Sequence, residues 1–310
     1  MKYLISLYIP IAVFVLSACG GGGGGGGSPP GPQPVVYTGP TTPAVVTNAN
    51  AGTLAEGVIG GSTTGTALGV VSEEEKNQQP TTLDVARILS SSITQLDLSG
   101  STSQLPGAIV SESGSESCLD GGRFDFDLSV DDVTFELFGT MNFISCTEGD
   151  TTLNGDTQVS GSLFGDLHMT FVLLTVVSGG ESYSMTGTVT TSVGFGVTIV
   201  MNVNQRNNIT GLVERLENLT IYVTDNFTYV EMSIWGRYYH PDHGYVDIVT
   251  DIPFQIDYDD DWPYLGQMTL TGAANSKVRI TAISNTQYSM EVDPDGDDLF
   301  DPPTVEDWGS

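Results

Sequence analysis

Acidic side chains at alternate positions near the C-terminus carry the most specific chemistry in this chain. Asp293-Pro294-Asp295-Gly296-Asp297-Asp298-Leu299-Phe300-Asp301 sets carboxylates at loop positions 1, 3, 5 and 9. Ca²⁺ takes roughly six to eight oxygens at about 2.3 to 2.6 Å, and alternate residues of a tight loop can all point at one centre. Asp293, Asp295, Asp297 and Asp301 are therefore the candidate ligands of a calcium ion. The alternative is a hydrated acidic turn that closes the last strand. Position 6 is Asp298, where a glycine would ease the turn, and Gly296 stands two residues before it. Position 12 is Thr304 rather than the bidentate Glu of an EF-hand.

The spacing resembles the short Asp-rich calcium loops of thrombospondin type 3 and dockerin repeats. Other chemistry is harder to assemble. His240, Asp242 and His243 lie close together, but Pro241 and Gly244 make the segment a turn, whereas a zincin needs His-Glu-x-x-His on a helix. His168 alternates inside an expected strand. Asp257, Asp259, Asp260 and Asp261 lack regular ligand spacing and read as a solvated loop. No Gly-x-Ser-x-Gly elbow occurs, and the glycine run at 20–27 is followed by no Lys-Ser/Thr pair of a phosphate loop. Trp235, Tyr238, Tyr239, Trp262 and Tyr264 offer rings for a sugar or lipid groove, although rings on strands more often fill cores or pair across strands.

Location is better specified. Lys2 supplies a positive n-region, and Leu4 to Leu16 are apolar apart from Ser6 and Pro10, which is the form of a signal peptide. Thirteen helical residues reach about 20 Å, short of the roughly 30 Å of hydrocarbon that a spanning helix must cross. Leu16-Ser17-Ala18-Cys19 follows directly and resembles the lipobox of bacterial lipoproteins. That resemblance implies cleavage before Cys19, lipidation of its thiol and attachment to a membrane through N-terminal acyl chains. Three chains exceed the two signals that stable anchoring requires. Gly20, in place of the Asp that retains such proteins in the inner membrane, favours the outer membrane.

Charge and cysteine usage agree with export. Nine Lys and Arg stand against 38 Asp and Glu, a formal charge of −29. Such a surface repels nucleic acid and anionic headgroups and leaves cations or neutral molecules as ligands, while also serving simple solubility. The three cysteines divide into Cys19 for lipid and the pair Cys118 and Cys146. Outside the cytosol a disulfide is the default for that pair, with two buried thiols as the alternative.

These residues need elements to hold them. After the signal at 1–19, residues 20–80 are rich in Gly, Pro and Thr and read as a flexible linker. A helix is expected after Thr82, where Val85, Ile88, Leu89, Ser92 and Leu96 recur at helical spacing. From about Gly122 the period changes to two. Phe124, Phe126, Leu128 and Val130 alternate with Asp125, Asp127 and Ser129, and odd positions between Tyr183 and Val203 are mostly apolar. That second run is too long for one strand, and because its parity never flips, a bend or an odd-length loop at Gly187, Gly194 or Gly196 must interrupt it. Parity does flip across Asp225-Asn226, which predicts a two-residue hairpin turn with Ile221 facing Val230. Further strands are expected at 245–250, 267–271, 277–283 and 288–292. The fold class is all-β: an antiparallel meander forming a curved sandwich or barrel-like sheet, over 81–301 with its leading helix, followed by an acidic tail at 302–310.

Several segments together resemble a group of uncharacterised β-rich lipoproteins of Gram-negative bacteria. They are Cys118-Leu119-Asp120-Gly121-Gly122 with Cys146, His240 to Val246, Gly272 to Lys277 and Asp293 to Asp297, spanning roughly 118–300. The resemblance implies an envelope location and no particular activity. The first functional expectation is a non-catalytic, anchored binding or structural module. A carrier of an apolar ligand within a curved sheet is the second, and a hydrolase the third.

Overall fold

Alternation of apolar and polar residues, plain at Phe124–Val130, builds almost the whole folded chain. The computed structural model describes residues 33–66 and 109–308, apart from 132, 149–150, 163–164, 179–180 and 261. Cys19 and the helix expected after Thr82 lie outside these residues. Fourteen strands follow in chain order: β1 (Ile109–Ser117), β2 (Gly121–Asp131), β3 (Glu136–Glu148), β4 (Thr151–Ser162), β5 (Asp166–Ser178), β6 (Glu181–Val193), β7 (Val197–Asn207), β8 (Val213–Asp225), β9 (Tyr229–His240), β10 (Gly244–Asp257), β11 (Leu265–Thr271), β12 (Lys277–Ser284), β13 (Gln287–Asp293) and β14 (Thr304–Asp307). Each pairs antiparallel with the next, and the sheet order is the chain order from β1 to β14. The fold is thus an all-β antiparallel meander, curved but not closed into a barrel.

Strands of up to 14 residues exceed the usual length, so they must bend to enclose a core. Register shifts interrupt the pairing between Phe143 and Cys146, Phe171 and Leu174, and Met201 and Val203, placing bulges in β3, β5 and β8. Gly187 lies mid-strand in β6 with φ 145°, where any Cβ would run into the carbonyl oxygen of Asn202. Of the two alternatives expected here, the odd-length loop is the one found. Residues 194–196 form a three-residue connection with Val193 opposite Val197, so parity is kept. The inner alternates, including Phe124, Met141, Leu153, Phe171, Val189, Ile221, Ile248 and Ile280, form one continuous buried cluster.

The hairpin expectation at Asp225-Asn226 needs correction. Asp225 pairs with Val230 and Ile221 with Ile234, and the Asn226 amide donates to the Tyr229 carbonyl at 3.0 Å, so the turn is two residues long, as expected, but sits at Phe227-Thr228. Asp225 instead accepts a hydrogen bond of 2.7 Å from the Phe227 amide, and Phe227 takes the positive φ of 60°. Moving a turn along the chain by two residues leaves the parity unchanged, which is why the alternation could not place it.

The linker expectation also changes. Residues 34–66 are part of the fold, in the same compact unit as the sheet. Val35 donates its amide to Thr186 Oγ1 at 2.9 Å and accepts from Asn204 Nδ2 at 3.1 Å. Farther on, the Ala44 amide donates to the Tyr245 carbonyl at 2.7 Å, the Ala273 amide to the Ala44 carbonyl at 2.7 Å, and the Val46 amide to Ser276 Oγ at 3.1 Å. Helix α1 (Ala51–Thr66) then packs against β7, β8, β9 and β12. Ala51, Leu54, Ala55 and Val58 are fully buried at i, i+3, i+4 and i+7, the stripe of an amphipathic helix. Small residues suit the position. A Cβ on Gly57 would overlap the hydroxyl of the buried Tyr238, so a composition that resembles a linker is here the condition for close packing.

The C-terminal boundary moves as well. β14 extends the sheet inside the expected tail, with Met290 opposite Thr304 and Gln287 opposite Asp307. Trp308 is nearly buried, its ring 4.5 Å from that of Tyr288 and 5.6 Å from Trp262.

Candidate functional site

Asp293 closes β13 on the face of Glu291, opposite that of Met290 and Val292, and it is nonetheless fully buried. A buried carboxylate needs partners, and the following loop supplies them. Its Oδ1 accepts from the amides of Gly296 at 2.8 Å and Asp297 at 3.2 Å, and its Oδ2 from Asp298 at 2.9 Å. Gly296 and Asp298 both adopt positive φ, 75° and 66°, so Asp298 takes the left-handed conformation despite its side chain. Burial alone would raise the Asp293 pKa, but the three amides prevail and hold it below the ordinary carboxylate range.

Asp295 and Asp297 project from this loop into solvent, and with Asp293 their carboxylate oxygens lie within 4.8 Å of one another. The negative charge of Asp297, with a contribution from burial, raises the Asp295 pKa. Among the described residues this is the one group of His, Cys, Asp or Glu close enough to share an ion. Asp301, the fourth expected ligand, stands apart from that group. Its carboxylate accepts from Asn48 Nδ2 at 3.0 Å and its amide donates to the Val292 carbonyl at 2.7 Å, so it ties the loop to the N-terminal arm instead.

Cys118 and Cys146 form the expected disulfide, with Cα atoms 5.4 Å apart. It joins the chain just before β2 to the far end of β3. The His240 segment is a turn, as its Pro and Gly imply. His240 is buried, its Nδ1 accepts from the Asp242 amide at 3.1 Å, and its ring stacks on His243 at 4.5 Å. Burial and the neighbouring His243 lower the His240 pKa. His168 has a partner that strand parity did not reveal, Thr190 Oγ1 on β6 at 2.9 Å.

The aromatics do not form one groove. Tyr238 is wholly buried, Tyr239 lies under Tyr37, Trp262 stacks on Trp308, and Trp235 is half exposed. Tyr264 donates to Gln255 Oε1 at 3.0 Å. Sequence reading missed Glu214, which shares the inner face of β8 with Leu216 and accepts 2.9 Å from the Tyr238 hydroxyl. Burial raises its pKa, and the Tyr238 bond only partly offsets this. A raised folded pKa favours the protonated fold: the stabilisation is complete below the unfolded value near about 4.3 and is lost as pH rises through the folded one. Glu214→Gln is therefore expected to gain stability over the parent as pH is taken from 4 to 7. Urea melts at the two pH values measure the difference, and an equal offset at both would refute it.

Among the described residues no helix is long and apolar enough to cross a membrane. No protein-family model, curated protein or solved structure matches the chain.

Proposed function

We propose that this chain is a lipid-anchored, non-catalytic binding or structural module of the bacterial envelope, held at the outer membrane by acyl chains on Cys19. The observation that favours a module over a carrier is the filled inner face of the sheet. A carrier needs a continuous apolar cavity. Against β7–β9 and β12 that space is taken by α1, and the rest of the inner face belongs to one buried cluster. Partners are left with the outward face. The anchoring half rests on the n-region, apolar run and Leu16-Ser17-Ala18-Cys19. A Cys118–Cys146 disulfide is in keeping with an oxidising compartment. Intact-mass analysis of the protein from membranes is expected to show loss of residues 1–18 and an acylated Cys19, with Cys19→Ala moving to the soluble fraction. An unmodified Met1 in the purified protein would overturn the anchor.

Calcium belongs to the same proposal, at Asp293, Asp295 and Asp297. Three carboxylates within 4.8 Å supply part of an oxygen shell, and relief of the Asp295–Asp297 repulsion favours a cation. With so few protein ligands the affinity falls in the millimolar range of extracellular modules. Addition of calcium to about 10 mM is expected to raise the melting temperature, and D295N/D297N to abolish the rise. A parent protein indifferent to calcium would leave the loop as a turn satisfied by its own amides.

A further inference from the structure

Successive strands run in opposite directions, so every second connection of the meander returns to the same rim of the sheet. The connections after β2, β6, β8 and β10 share one rim, and each carries an aromatic ring. Phe195 is 104 % exposed and Phe227 94 %, while Phe135 and Tyr258 are about half exposed. With strands about 4.8 Å apart, these rings recur about every 10 to 20 Å along the rim, too far apart to close on one small molecule. Two of them stand where the backbone opposes them. Phe227 opens its two-residue turn with φ 60°, and Phe135 ends the β2–β3 connection with φ 58°, positions that ordinarily take Gly or Asn. A bulky side chain in the left-handed region costs about 1 to 2 kcal/mol, and the Phe227 ring recovers little of it by burial. Strain that the fold does not use points to a use outside the fold.

Charge is distributed along the strands with the same polarity. Asp131, Asp166, Asp225, Asp257, Asp259 and Asp260 lie at the strand ends and connections of the aromatic rim. Asp131 Oδ1 accepts the amides of Thr134 at 2.8 Å and Val133 at 2.9 Å, and these bonds hold its pKa below the ordinary carboxylate range. The Tyr258 hydroxyl and the Phe227 amide do the same for Asp225. Arg123, Arg206, Arg215, Arg237, Lys277 and Arg279 are all the Lys and Arg among the described residues, and each lies within the four strand residues nearest the opposite rim. The aromatic rim therefore repels an anionic surface. Its complement is a layer with ammonium groups outermost and apolar depth beneath, as zwitterionic phospholipid headgroups form. Carboxylates and ring faces both attract the ammonium, and aromatic rings settle at headgroup level. The path of the chain permits the approach. Val35 is bonded to Thr186 and Asn204, nine strand residues or about 30 Å from Phe195. Sixteen residues separate Cys19 from Val35 and span at most about 55 Å, so an acylated Cys19 and this rim reach the same bilayer.

We propose that the connections after β2, β6, β8 and β10 dock on a zwitterionic phospholipid bilayer, with Phe195 and Phe227 entering the headgroup layer. The inference deepens the anchored-module reading and rests on it for bringing the chain to a bilayer. The full chain carrying Phe195→Cys or Phe227→Cys is labelled with a nitroxide and reconstituted in vesicles of phosphatidylcholine and phosphatidylethanolamine. Both positions are exposed, so neither substitution disturbs the core. Ile209→Cys, exposed at the opposite rim, is the control. Paramagnetic resonance compares the access of oxygen and of an aqueous nickel complex to each label. Labels at 195 and 227 are expected to lie about 5 to 10 Å into the headgroup layer, the depth of interfacial apolar groups, and the label at 209 to stay in water. Exchange of phosphatidylcholine for phosphatidylglycerol is expected to return the first two towards water. Labels at 195 and 227 as open to nickel as the label at 209 overturn the proposal, and so does deeper entry with phosphatidylglycerol. Spin–spin broadening at 195 or 227 that grows with the protein-to-lipid ratio assigns the rim to a second copy and overturns it too. Intact mass reports acylation separately. An acylated chain with aqueous labels fails at the rim alone, and a chain without acyl groups whose labels are still shielded fails only in its anchor.

Discussion

Replacing Cys118 and Cys146 together by alanine is expected to lower the unfolding free energy by about 3 to 4 kcal/mol. The bridge closes a loop with a sequence separation of 28, and the chain-entropy cost that it removes from the unfolded state has that size. Its position adds to the case. Cys146 is fully buried and Cys118 nearly so, and the bridge holds the entry to β2 against the end of β3, beside β1, the first strand of an open sheet. For a domain of this size the loss corresponds to roughly 10 °C in melting temperature. Alanine rather than serine at both positions avoids placing an unpaired hydroxyl in the core. Reduction of the parent by dithiothreitol should produce a comparable fall. A shift of less than about 1 kcal/mol would mean that the loop is held closed without the bond.

Leu54→Ala is expected to cost about 2 to 5 kcal/mol, the range for truncating a buried leucine. Leu54 is wholly inaccessible, on the stripe of α1 that meets the sheet. On a mobile linker the same substitution would change nothing, so the measurement decides between the two views of residues 34–66. Denaturant melts give the energy, and limited proteolysis gives the location, since cleavage at 34–66 should accelerate in the variant and be slow in the parent. Gly57→Ala provides a second reading of the same interface. An alanine would normally favour a helix by about 1 kcal/mol over glycine, yet here its methyl meets the buried Tyr238 ring, and a net loss is expected. Stabilisation by Gly57→Ala would show that the helix does not sit there.

Acid should act on the C-terminal loop in the opposite sense to Glu214. Because the folded Asp293 pKa lies below its unfolded value, the stabilisation is present above the unfolded pKa and is lost as pH falls through the folded one. Asp293→Asn keeps the shape but gives up one charged acceptor. It is expected to melt lower than the parent at pH 7 and to show a shallower loss between pH 5 and 2. A profile parallel to that of the parent would remove Asp293 as the organiser of the loop.

The sheet was legible because its physics is local. Side chains alternate across a strand, so Phe124, Phe126, Leu128 and Val130 declare a buried face without reference to any other part of the chain. The constant parity from Tyr183 to Val203 allowed only a bend or an odd-length loop, and such a loop is found at 194–196. The Cys118–Cys146 bond followed from counting cysteines, and the clustering of Asp293, Asp295 and Asp297 from their spacing. Matters that parity leaves degenerate were not legible. A turn shifted by two residues preserves the same faces, so the pairing of Ile221 with Ile234 rather than Val230 was open until the strands were placed.

By itself, then, the order of residues determined an all-β antiparallel meander, its bonded cysteines and its acidic loop, because each depends on neighbours a few positions away or on a simple count. Tertiary structure alone decided that Ala51, Leu54, Ala55 and Val58 belong to the core, that Trp308 ends the fold and that Asp301 serves Asn48 instead of joining the other carboxylates. The physical reason is the same in each case. A small residue or a lone carboxylate has no preference of its own strong enough to name its place, so its role is set by the surface that reaches it from a distant part of the chain.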